Sequence, residues 1–211
     1  MANTNAPFGL RFIGLKGGGP QAAVNQERRN SILYSNATAI YTGDLLKMQS
    51  TGYLAQYSAG TAVSQVWGVF SGCRYYSNSQ QTIFPNKYWP GTDAASGTVM
   101  CQYIPAAGSP TPLFVIQTDS TGITNADIGA NADIVVGTGS TSTGFSGSYL
   151  DTGTLATTAT LPLRIEDLWV NWASGGPVEG AGSSSTLLPG TQAGAYNWAV
   201  VSINVMNNTG I

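Results

Sequence analysis

From Ser31 onward the chain runs as short apolar stretches set apart by Gly, Asn, Ser and Thr: ILY at 32–34, AIYTGDLLKM at 39–48, VWGVF at 66–70, TVMCQYI at 98–104 and LFVIQT at 113–118. Stretches of this length and composition between turn formers predict strands, and their number predicts an all-β barrel or sandwich. A period of two is clearest in two places. Leu161, Leu163 and Ile165 alternate with Thr160, Pro162 and Arg164, while Ala199, Val201, Ile203 and Val205 alternate with Val200, Ser202 and Asn204. Each is expected to be a strand with one buried face. Pro162 has no N–H to give to a ladder and belongs at an edge or a bulge. No stretch repeats apolar residues at helical spacing over three turns, so little helix is expected.

Two stretches break this rhythm. Residues 1–30 contain Gly17-Gly18-Gly19-Pro20 and little periodic hydrophobicity, and read as an extended N-terminal arm. Residues 31–211 read as the β-rich core domain. Within that domain the segment at about 172–194 is rich in Gly, Ser and Pro and poor in large apolar residues. It reads as a long loop before the last strand.

Composition narrows the function classes. Of the 211 residues only 9% are charged, against roughly 25% in an ordinary soluble domain. Eight Lys and Arg stand against ten Asp and Glu, for a net charge of −2. Arg28-Arg29 is the one adjacent basic pair, so no nucleic-acid partner is expected. No apolar run approaches a membrane span, and MANTNAPFGLRF lacks the basic start and apolar core of a secretion signal. No membrane partner is expected, and synthesis and retention in the cytoplasm are. Cys73 and Cys101 both lie in apolar, strand-like text and read as buried reduced thiols.

Candidate chemistry is sparse. There is no histidine, which removes the usual general base and the commonest transition-metal ligand together. The serines occur in neither GxSxG nor SxxK, and the GGGP at 17–20 is not followed by GK[ST]. Asn125-Ala126-Asp127-Ile128 recurs as Asn131-Ala132-Asp133-Ile134, which suits turn chemistry better than a calcium loop. Glu166-Asp167 reads as a solvated strand end. The protein is therefore expected not to be an enzyme, with no catalytic, cofactor-binding or metal residue assigned and no cofactor.

The run from Ile83 to Gly91 is more informative, because Phe84, Tyr88 and Trp89 lie in a segment punctuated by Pro85 and Pro90. It is either a loop folded over the core or a rigid aromatic surface for another subunit, since such side chains lose little entropy when immobilised.

Several segments, in order along the chain, resemble tailed-bacteriophage capsid decoration proteins, also called head-cement or capsid-stabilising proteins. They are NAPFGLRF at 5–12, YTGDLLKM at 41–48, WGVFSGCRYYS followed by FPNKYWPGT, IGANADIVVGTGSTSTGFSGSYLDTGTLATTATLPLRI at 128–165, and the terminal YNWAVVSINVM. The chain departs from that pattern in GLKGGGPQ and in the Gly/Ser-rich stretch at about 172–194. The resemblance implies a structural virion protein on the outer surface of an icosahedral shell. There it would bridge neighbouring major capsid subunits against the pressure of packaged DNA, without catalysis.

On this reading the contact candidates for the capsid or a sister subunit are Pro7, Phe8, Leu10 and Phe12 in the arm and Phe84, Tyr88 and Trp89 in the aromatic run. Sites between capsomers often lie on local symmetry axes, so a homo-oligomer, a trimer by preference, is expected. Two rivals remain: a virion-surface module that recognises host glycans through its exposed aromatics, and a glycan hydrolase working with carboxylates alone.

Overall fold

A computed structural model describes residues 3–17, 25–29, 31–107, 110–169 and 194–204. The strands in chain order are β1 (Arg11–Leu15), β2 (Gln26–Arg29), β3 (Ile40–Tyr41), β4 (Leu45–Met48), β5 (Leu54–Gln56), β6 (Val66–Ser77) and β7 (Thr82–Asn86). They continue as β8 (Tyr88–Trp89), β9 (Met100–Pro105), β10 (Pro112–Gln117), β11 (Asn131–Val135), β12 (Tyr149–Ala156), β13 (Leu163–Leu168) and β14 (Trp198–Ile203). The first sheet has the order β1-β10-β14-β13-β11-β12, and the second β2-β9-β6-β4-β5 with β7 added on β6. A two-stranded ribbon joins β3 and β8. All these pairings are antiparallel, and the two open sheets pack as a sandwich rather than closing into a barrel.

Two apolar cores hold the layers. Between the sheets lie Phe114, Ile116, Val201, Ile165, Ile134 and Leu150 from the first and Leu45, Val66 and Val69 from the second. The far face of the second sheet carries Leu46, Phe70, Cys73, Tyr75, Cys101 and Tyr103, covered by Ile32, Ile40 and Trp89. Successive residues Leu45 and Leu46 thus enter different cores, because neighbouring side chains on a strand point to opposite faces. A sheet buried on both sides needs apolar residues at both parities, which accounts for Val69 and Phe70 in succession, one in each core, whereas Trp67 in the same run is exposed. Cys73 and Cys101 face each other across β6 and β9 as buried free thiols. Burial pushes the Cys73 thiol up to about 12.

Four expectations need correcting. ILY at 32–34 is not a strand: it leads into a turn, and Ile32 is completely buried. In β14 every residue from Ala199 to Ile203 is buried, so its second face is not solvated. At the Trp198 end of β14 the N-terminal segment lies over the sheet: Phe8 meets Trp198 edge-on at 4.8 Å, and Gln117 on the adjacent β10 accepts the Ala6 N–H at 2.9 Å and donates to the Thr4 carbonyl at 2.8 Å. The second Asn-Ala-Asp-Ile copy is strand β11, and only the first, after Thr124, forms a turn. Glu166 is not solvated either. It accepts from Lys16 Nζ and from the Ser202 hydroxyl, both at 2.6 Å. Burial works against its charge, but these hydrogen bonds hold its carboxyl below the ordinary value.

The alternation Leu163, Arg164, Ile165 stands as read, and Pro162 sits immediately before β13, where its carbonyl accepts the Asn204 N–H at 2.8 Å. The stretch read as an arm supplies β1 to the first sheet and β2 to the second. Of the expected loop at 172–194, all but Gly194 lies outside the described residues, as does Val205.

Candidate contact surface

The contact candidates divide by burial. Trp89 is 0% exposed: its indole N–H donates to the Asn36 carbonyl at 2.9 Å, and its ring meets Tyr75 edge-on at 5.4 Å. Phe8 is buried with its ring edge-on to Trp198 at 4.8 Å. Leu10 is 3% exposed, lies in the core between the sheets, and gives its N–H to Gly43. These three side chains are taken up by the chain's own interior rather than presented to a partner. Pro7, Phe12 and Tyr88 are half-buried, Phe12 against Phe114 and Tyr88 stacked on Tyr41 at 5.3 Å.

Phe84 is different. It lies on β7, which pairs only with β6 and leaves one edge free among the described strands. Phe84 is 41% exposed and its neighbour Ile83 is 66% exposed. The ladder sets what that edge offers. Tyr76, opposite Ile83, donates its N–H to the Thr98 hydroxyl, and its carbonyl accepts the Ala95 N–H, both on the side away from β7. By antiparallel alternation, Ile83 turns its own N–H and carbonyl outward, and Pro85 two residues on turns outward its carbonyl and a ring nitrogen that carries no hydrogen. Proline is tolerated there because the position asks for no ladder donor.

Lys87, directly after β7, lies against a second exposed feature. Residues 136–148 form a loop whose turn lies at 141–143 and which carries Phe145, 37% exposed, bridged to Thr42 just after that turn. The loop is clamped on Thr42, whose N–H reaches the Gly144 carbonyl at 3.0 Å and whose carbonyl accepts from Ser146 at 2.9 Å. The buried Asp44 holds its base by accepting from Ser146 at 2.5 Å and Ser148 at 3.2 Å, and from the Tyr41 N–H and Gln56 at 2.8 Å each. Burial nonetheless raises the Asp44 carboxyl, against the pull of those hydrogen bonds.

Glycine is required where this loop touches its neighbours. A side chain at Gly139 would strike the Tyr41 ring, and Gly144, at φ +77°, leaves 2.6 Å between an added Cβ and that of Lys87. The sequence signal was there: glycines at 137, 139, 144 and 147 surround one phenylalanine.

Two cations flank Phe145. The Arg11 guanidinium carbon lies 5.1 Å from its ring centroid and 4.5 Å from that of Phe8, and Lys87 Nζ lies 5.8 Å from the Phe145 centroid. The Lys87 backbone is fixed as well, since its carbonyl accepts from the Thr42 hydroxyl at 2.5 Å. Phe145 with Arg11 and Lys87 thus forms an exposed apolar and cationic patch on an all-β sandwich. The chain matches no family model, no curated protein and no solved structure.

Proposed function

We propose that the protein is a structural virion protein that decorates the outer surface of an icosahedral phage shell and cements neighbouring major capsid subunits. The observation that carries this reading is the free β7 edge with Ile83 and Phe84 exposed, set beside the clamped loop bearing Phe145. Apolar side chains on rigid backbone lose little freedom on docking, and that is what a contact repeated over a shell requires. The order of segments resembling decoration proteins supports the same role. The partners on this reading are the major capsid protein and sister copies of the chain, with a trimer favoured and no catalysis.

The test is co-sedimentation of the full chain with empty shells that lack it, with light scattering after size exclusion on the unbound protein. Saturable pelleting at a fixed ratio to the capsid subunit is expected. Absence of pelleting overturns the reading and turns attention to the exposed aromatics as a glycan platform, to be assayed on immobilised polysaccharides.

A further inference from the structure

The cations around Phe145 are held in place but not used within the described fold. Of the other cations, Lys16 is paired with Glu166 at 2.6 Å and Arg74 with Glu27 at 2.9 Å, while Arg28 donates to the Gly52 carbonyl at 3.2 Å and Lys47 to the Ser58 hydroxyl at 2.6 Å. Arg11 rests against two rings, Phe8 and Phe145, and among the described residues its guanidinium finds neither a carboxylate nor a hydrogen-bond acceptor. Lys87 approaches the same Phe145 ring and has no carboxylate within ion-pair distance among the described residues. An arginine stacked on aromatic faces keeps its planar fork of N–H donors directed sideways, already ordered for a bidentate acceptor.

We propose that Arg11, Phe145 and Lys87 form a docking site for a carboxylate side chain of the protein partner. Arg11 takes the two oxygens in its fork, Lys87 adds a second positive charge, and the exposed ring lies under the methylenes of a glutamate. A phosphate fits less well, because the phenyl ring beside the guanidinium offers no donor for its remaining oxygens. This inference rests on the reading that the face docks on a protein shell, and it names the chemistry of the residue received there.

The full chain is titrated with hexaglutamate, with NMR following the Phe145 ring and the Arg11 side-chain N–H. Saturable shifts at both residues are expected. They should weaken as salt is raised, and the affinity should fall about tenfold in Arg11→Gln and less in Lys87→Gln. Arg11→Lys keeps the charge without the fork, and an intermediate loss is expected. A wild-type spectrum unchanged by hexaglutamate, or equal shifts from hexaglutamine or inorganic phosphate, overturns the proposal. Shell binding without any response to hexaglutamate overturns this inference alone. A response to hexaglutamate without shell binding overturns the shell reading and leaves the carboxylate site standing.

Discussion

The N-terminal segment and the run from Ile83 to Gly91 start alike in sequence, each a few large apolar residues among small polar ones and proline, yet the fold treats them in opposite ways. Phe8 and Leu10 are drawn inside, and the segment lies over the sheet at the Trp198 end of β14. In the second region the interior claims Trp89, while Ile83 and Phe84 are left on an unpaired edge. Five residues therefore separate a wholly buried aromatic from a half-exposed one. What decides is whether another strand lies across the position: β8 is closed over by β3 and Asn36, whereas nothing among the described strands lies beyond β7. A large side chain becomes a contact surface when the fold runs out of layers to place over it.

The strongest way to break this contrast is to remove its buried members. Trp89→Ala should cost about 3–5 kcal/mol and Leu10→Ala about 3 kcal/mol, read by denaturant unfolding. At roughly 2–4 °C per kcal/mol for a chain of this size, both would lower Tm by well over 5 °C. Folded Leu10→Ala protein should still pellet with shells, because that side chain faces inward.

A middle-sized effect is expected at Asp44. Replacing it with Asn deprives buried donors of a carboxylate acceptor, a loss of about 1 kcal/mol at pH 7. The pH dependence has a definite sign. The folded state raises the Asp44 carboxyl, so the wild type gains stability through this residue as pH falls, fully below the ordinary value of 3.8. That gain is lost as pH rises through the raised value. The advantage of wild type over Asp44→Asn should therefore widen from pH 7 toward pH 4 in unfolding titrations. Glu166 and Asp119, held low, act in the opposite sense but equally in both proteins.

The smallest effect on stability and the sharpest on function belong to the edge. Ile83→Ser should change stability by no more than about 0.5 kcal/mol, while shell occupancy at limiting protein falls about tenfold.

Much of the architecture was legible because strand chemistry is local. The apolar runs at 66–70, 98–104 and 113–118 fall on β6, β9 and β10, and AIYTGDLLKM contains β3 and β4. What could not be read was how many layers lie over each strand. A two-residue period tells which residues share a face, not whether both faces are covered, and β14 is covered twice. The same limit hid the fate of Phe8 and Leu10, whose burial depends on Gly43, Trp198 and Gln117, all distant in sequence. Phe145 was missed for a related reason. Its glycines look like slack in the sequence, whereas in space they are close approaches to Tyr41 and Lys87.

Pro85 carries one further consequence. A protein crowded on a surface with a bare strand edge risks zipping onto its neighbours into an unbounded ribbon. On β7 the outward donors are Ile83 and then, where the next should stand, a ring nitrogen with no hydrogen. Copies of the chain can press side chains together along this edge, but an extended ladder between them is interrupted after a single rung, so crowding favours discrete contacts over fibres.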